Sequence, residues 1–193
     1  MTKKSSSTKS RIVDAAWKLF YEQGYEGTTV EDIVTLSGTS KGSFYHYFAS
    51  KDDLVGSLAY LFDEKYEELA AALDPAAPAP ETLLYLNREL FLMIENRIDI
   101  AILTRLLSTQ LTLQGGKQLL DHNRVYFKLL RRIITEGQQR GELTDALTVG
   151  EMVRLYAMTE RAMLYEWCLR NGEYALADYA GRMLPLMLSA LKK

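Results

Sequence analysis

The chain is poor in the side chains from which most catalytic and metal centres are made. Among 193 residues there is one cysteine, Cys168, and there are two histidines, His46 and His122. One thiol excludes an intrachain disulfide and fits a reducing cytosol. Two histidines and one cysteine offer no metal-ligand set of recognisable spacing, so no metal and no cofactor is expected. A glycine-rich phosphate loop, a Gly-x-Ser-x-Gly elbow and a His-Glu-x-x-His helix are all missing, which argues against the common hydrolase, nucleotide-binding and zincin chemistries. Acidic neighbours such as Glu67-Glu68 read as solvated helix surface. No apolar run reaches the ~18 residues of a membrane span. The first eleven residues are polar with no apolar run behind them, so no signal peptide is expected. Charge of one sign is also scarce: the net charge is −2, and no acidic or basic surplus marks the chain as a whole.

Proline is rare and concentrated. Three of the four prolines lie in Asp74-Pro75-Ala76-Ala77-Pro78-Ala79-Pro80, a stretch that cannot continue a helix and reads as a linker between two units. Lighter breaks stand at Gly115-Gly116, Gly141 and Asn171-Gly172. Pro185 falls inside an otherwise helical segment and predicts a kink or a split there. Lys3, Lys4, Lys9 and Arg11 form a small basic arm free of acids, suited to phosphate or simply solvated.

What remains is helical almost everywhere. Alternating strand patterns are nearly absent. Ile12, Ala15, Ala16, Leu19 and Phe20 share one face of a first helix, and Gly24 sits where its C-terminal cap belongs. Thr28-Thr29-Val30-Glu31 fits a capping box for a second helix carrying Ile33, Val34 and Leu36. Ser50-Lys51-Asp52-Asp53 opens a longer one with Leu54, Leu58, Leu61 and Leu69 inward. Beyond the prolines, periodic segments run over about 81–96, 98–110, 117–140, 149–170 and 173–191, with Thr148-Val149-Gly150-Glu151 as another capping box. The expectation is an all-α protein of about nine helices.

The stretch 28–51 carries the functional signal. A short capped helix, a turn at Ser37-Gly38-Thr39 and a second short helix over 40–47 make the helix-turn-helix unit. The second helix is oddly composed for packing. Thr39, Ser40, Lys41, Gly42 and Ser43 crowd its start, where small polar groups let a backbone approach DNA. Phe44 and Phe48 can anchor it to Ile33 and Leu19, which leaves Ser43, Tyr45 and His46 outward or flanking.

Gly24-Tyr25, Thr28-Thr29-Val30, Asp32-Ile33, Ser37-Gly38, the run from Ser40 to Phe48 and Lys51-Asp52-Asp53-Leu54 together resemble the N-terminal signature of TetR-family transcriptional regulators, without a gap over about residues 10–60. The resemblance implies an arm over 1–9, a three-helix DNA-binding head over 10–54, a linker helix over 50–73 and a helical effector-binding and dimerisation body over 75–193. It implies that Thr39, Ser40, Lys41, Ser43, Tyr45 and His46 face double-stranded operator DNA and that Gly42 permits close approach. Lys51 would hold a phosphate, and Thr28 and Thr29 would cap the second helix near the DNA backbone. Two heads of a homodimer would then sit in successive major grooves, ~34–36 Å apart, and a ligand in the body would shift that balance by its differential affinity.

The body is less specific. Phe62, Tyr66, Phe91, Met93, Leu106, Tyr126, Leu130, Met158 and Trp167 are candidate pocket residues, and any of them could equally fill the core. Seven methionines suit an adaptable apolar surface and favour a hydrophobic or aromatic effector. Arg105 and Arg161 lie in largely apolar segments and could pair an acidic ligand or serve as surface ion pairs. Met152, Tyr156, Met163, Trp167, Met183, Met187 and Leu191, on the last two helices, could fill a four-helix dimer interface. The expected function is a ligand-responsive repressor in the cytoplasm, away from membranes, and not an enzyme. A helical interaction module or an architectural DNA binder is the alternative.

Overall fold

The computed structural model describes residues 7–112 and 118–193. Lys3 and Lys4 of the basic arm, Gly115-Gly116 and Lys117 lie outside these. Among the described residues the chain is all-α, in ten helical segments: α1 (Thr8–Gly27), α2 (Val30–Ser37), α3 (Lys41–Tyr47), α4 (Lys51–Val55), α5 (Leu58–Ala72), α6 (Ala79–Arg97), α7 (Ile100–Thr112), α8 (Val125–Gln139), α9 (Val149–Leu169) and α10 (Leu176–Ser189). The helix expected over 50–73 is interrupted at Gly56-Ser57 into α4 and α5. Counted as one, it brings the total to the expected nine.

Two compact units emerge, and neither is a single stretch of sequence. The first is Met1–Leu58 with Arg97–Thr112; the second is Ala59–Asn96 with Leu113–Lys193. In the first unit α1, α2 and α3 bury Ile12, Ala16, Phe20, Ile33, Phe44 and Phe48. Gly24 breaks the helical backbone of α1 at φ 77, ψ 165, where a side chain would be strained. α7 belongs to this unit and packs against α4, although it follows the proline linker in sequence.

In the second unit α8 and α9 pack together and α10 packs on α9. Met152, Tyr156, Leu164 and Trp167 of α9 and Leu176, Ala180, Leu184 and Leu188 of α10 are buried. α8 starts later than the periodicity predicts. A 3-10 turn over Gln118–Leu120 and an Asp-turn, with the Asn123 backbone N–H donating to Asp121 Oδ1 at 2.9 Å, occupy the preceding residues. Local side-chain bonding of that kind competes with helix extension. α10 runs through Pro185 without being split. Proline deprives the carbonyl four residues back of its partner. That residue is the exposed Gly181, whose carbonyl can turn to water.

Candidate nucleic-acid interface and effector interior

The helix-turn-helix is built by local bonding. Thr29, not Thr28, caps α2: its hydroxyl accepts from the Asp32 N–H at 3.1 Å, and Asp32 Oδ2 accepts from the Thr29 N–H at 2.8 Å. The capping box therefore sits one residue later than the sequence reading put it. Thr28 is 1% exposed. Its hydroxyl donates to the Gly24 carbonyl at 2.8 Å, closing the break at the end of α1, so it is a capping group of α1 and not part of a surface. Gly38 ends α2 in the left-handed region (φ 61, ψ 35), a geometry glycine reaches without strain. Arg11 from α1 clasps the turn, its guanidinium donating to the Ser37 and Gly38 carbonyls at 2.5 and 2.8 Å. A residue read as part of a basic arm is thus spent on holding the turn.

Ser40 caps α3 by accepting from the Ser43 N–H at 3.0 Å. Phe44 is fully buried and Phe48 nearly so, with ring centroids 5.8 Å apart. This anchors one face of α3 and turns the other outward. Ser40, Lys41, Gly42, Tyr45, His46 and Tyr47 are exposed, Thr39 and Ser43 half-buried. The residues expected to read DNA from the second helix therefore share one accessible surface. Tyr47 joins them, its ring 4.8 Å from that of His46. Thr29 is exposed at the start of α2.

Lys51 turns inward. Its ammonium donates to the carbonyls of Tyr25 and Thr28, both at 2.7 Å, and lies 4.0 Å from the Tyr25 ring centroid. It staples the α1–α2 connection, which corrects the expectation of a free phosphate ligand. Arg105 takes the second of the two roles expected of it, the ion pair. It lies on α7 in the first unit and pairs with Asp52 and, at 3.4 Å, with Glu26. Its guanidinium is 4.5 Å from the Tyr25 ring centroid, and the Tyr25 hydroxyl donates to Asp52 at 2.6 Å. Arg105, by hydrogen bond and charge, holds the Asp52 carboxyl below its usual range. Burial, then Asp52, pushes the Tyr25 phenol up. An open cleft of about 640 Å³ runs beside this cluster, lined by Tyr25, Glu26, Asp52, Asp99, Arg105 and Thr109 among others.

Inside the second unit, Tyr66 and Tyr126 come together with centroids 5.0 Å apart. Tyr126 donates to Glu160 Oε2 at 2.5 Å, and Asn87 donates to Oε1 at 2.7 Å. Burial raises the Glu160 carboxyl against the bonds from Tyr126 and Asn87. Next to this cluster Arg124 forks onto Asp63 at 2.9 and 3.1 Å and donates to the Ala59 carbonyl at 2.8 Å. The sequence reading missed Asn87, Asp63, Arg124 and Glu160. Glu160 was detectable: it stands four residues after Tyr156 and three before Met163, where an apolar residue is due. Of the other pocket candidates, Phe62, Phe91, Leu130 and Trp167 are buried in this unit and Met93 is half-buried. The Trp167 indole donates to the Tyr174 carbonyl at 2.8 Å. Leu106 is buried in the first unit instead, and Met158 is exposed and points away from any interior.

The interface candidates divide in the same way. Met152, Tyr156, Met163, Trp167 and Leu191 are buried within the unit, Met187 is half-buried, and only Met183 is exposed. The outward apolar stripe of α9 is a different one: Leu155, Met158, Ala162, Tyr165 and Leu169, spaced alternately three and four. Leu169 is 70% exposed and, on α10, Leu186 is 66% exposed beside Met183. An amphipathic helix here carries two apolar faces, and the reading in sequence chose the inner one.

Comparison with known proteins places both parts of the chain. Residues 12–58 match the family model of bacterial regulatory proteins of the TetR family, and residues 60–190 match that of the YsiA-like protein C-terminal region. The fatty acid metabolism regulator protein of Bacillus subtilis (strain 168) is 28% identical over 185 residues, 94% of each chain. The solved structure of FadR from Bacillus subtilis in complex with stearoyl-CoA superposes with a TM-score of 0.69 at 25% identity, covering 94% of this chain and 98% of that one. Thermus thermophilus FadR, a TetR-family repressor in complex with lauroyl-CoA, has the same fold, with a TM-score of 0.76 at 21% identity over 93% of each chain. Taken with the helix-turn-helix head and the all-helical remainder, these matches establish that the chain belongs to the TetR family of bacterial transcriptional regulators.

Proposed function

We propose that this protein is a homodimeric, cytoplasmic repressor that leaves its operator when a long-chain acyl thioester of coenzyme A binds its second unit. The observation that carries the reading is end-to-end similarity to a fatty acid metabolism regulator of Bacillus subtilis and to a FadR structure from Bacillus subtilis that holds stearoyl-CoA. The chain's own chemistry supports it. The second unit has an interior of aliphatic and aromatic side chains with a few convergent polar groups, the composition of a lipid-chain site. No helix among the described residues is long and apolar enough to cross a membrane.

On DNA, the exposed face of α3 supplies the contacts. Ser40, Ser43 and Thr39 hydroxyls and the Tyr45 and Tyr47 phenols are short or rigid donors suited to phosphate and base edges, His46 can bond a purine, and Lys41 supplies the charge. Gly42 keeps the backbone clear. Effector and operator then compete through two states of the dimer. The effector weakens operator binding by as much as it prefers the released state.

The test is fluorescence anisotropy of a labelled duplex selected by the protein from random sequence. Saturated acyl-CoAs of eight to eighteen carbons, free coenzyme A, free fatty acids and aromatic effectors are added in turn. Release by the long acyl-CoAs alone is expected. Release by an aromatic compound and not by acyl-CoA would replace the effector class while leaving the repressor reading intact.

A further inference from the structure

On the α3 face proposed to meet DNA, Lys41 supplies the positive charge among the described residues, and that cation is already held. Its ammonium is ion-paired with the Glu31 carboxylate in the first turn of α2. Both side chains are exposed. The hydrogen bond from Lys41 holds the Glu31 carboxyl below its usual range, and the same bond raises Lys41. Two other basic groups of the head are committed inward: Arg11 to the Ser37 and Gly38 carbonyls, Lys51 to those of Tyr25 and Thr28. A phosphate approaching the start of α3 therefore meets a closed ion pair, with a carboxylate beside it.

We propose that Glu31 is a negative determinant of DNA binding, competing with DNA phosphate for Lys41. The inference rests on the reading that α3 faces DNA. Its physical basis is simple. Phosphate attraction is sequence-independent and supplies nearly all non-specific affinity. A carboxylate that occupies the cation subtracts from that term while leaving the hydroxyl, phenol and imidazole groups of α3 untouched. Neutralising Glu31 frees Lys41 to displace a counterion from DNA, once in each head.

The experiment measures binding of a random-sequence 30-base-pair duplex and of the selected duplex across a salt series. It compares the wild-type protein with Glu31→Gln, Lys41→Gln and the double variant. Glu31→Gln is expected to tighten binding to the random duplex about three- to tenfold, the scale of releasing two exposed ion pairs. The plot of log affinity against log salt should steepen by about 0.9 per head. In the double variant the gain should vanish. If Lys41→Gln weakens binding but Glu31→Gln changes neither affinity nor slope, Glu31 is ordinary solvated surface and the inference falls alone. If Glu31→Gln weakens binding, the carboxylate aims Lys41 at DNA, which is the opposite role. If Lys41→Gln itself has no effect, the reading of the α3 face fails and takes the inference with it. All four side chains or replacements are exposed and uninvolved in the core, and equal melting midpoints check that the folds are the same.

Discussion

Glu160 shows how much a single buried group can decide. It is 4% exposed, and its two oxygens accept from Asn87 and Tyr126. Tyr156 gives its one proton to the Leu83 carbonyl at 2.7 Å. Burial is the larger influence on Glu160 and pushes its pKa up, against the bonds it accepts. A carboxyl whose folded pKa is raised stabilises the fold fully below its unfolded value of about 4.3, and loses that contribution as pH climbs through the folded value. The wild-type melting midpoint should therefore lose the Glu160 contribution as pH rises above that unfolded value. In Glu160→Gln, whose amide does not ionise, the profile should be flatter, and parallel profiles would refute the assignment. Legibility at this scale depended on residue type. Lys41, Ser43, Tyr45 and His46 could be seen in the sequence because they are poor packing residues in a short helix. Thr28 and Thr29 could not be told apart, since Thr28-x-x-Glu31 and Thr29-x-x-Asp32 both satisfy the capping pattern.

At the scale of elements, periodicity located nearly every helix but not its partners. Apolar spacing reports that a face is covered. It does not report by what, so α7 was assigned to the body and α9 was given one apolar face instead of two. Close approaches are equally silent. Gly137 of α8 is buried, and a Cβ there would lie 2.6 Å from the Ala79 Cβ and 2.8 Å from Leu143 Cδ1. α8, the start of α6 and the loop after α8 can meet so closely only because that position lacks a side chain. Gly137→Ala gains helix propensity but forces this junction open. A net loss of about 2 kcal/mol is expected, the usual size for an overpacked core, read from urea unfolding. Gly141→Ala offers a control, because a Cβ at Gly141 meets nothing within 4 Å but its φ of 71 is strained. It should cost only the backbone term, about 1 kcal/mol.

For the whole molecule, the outward stripe of α9 and the neighbouring apolar residues of α10 are the surface on which the proposed dimer depends. A bidentate grip on two half-sites needs the second copy, so a monomer should lose most operator affinity even with an intact head. Leu155→Glu combined with Leu169→Glu places two charges on the exposed stripe and removes nothing from the core. Light scattering should report a monomer with unchanged helix content, and operator binding should fall by at least about a hundredfold, the lower end of what linkage of two sites confers. A dimer that survives both charges would move the interface elsewhere. The membership of α7 in the first unit has a further consequence, for the order in which the protein is made. The head is encoded at the start of the chain, yet the helix that packs on α4 ends at Thr112. A ribosome must finish that stretch before the DNA reader has all its parts. A nascent chain, or a fragment cut near residue 58, is expected to expose the apolar side of α4 and to bind chaperones until the missing helix arrives.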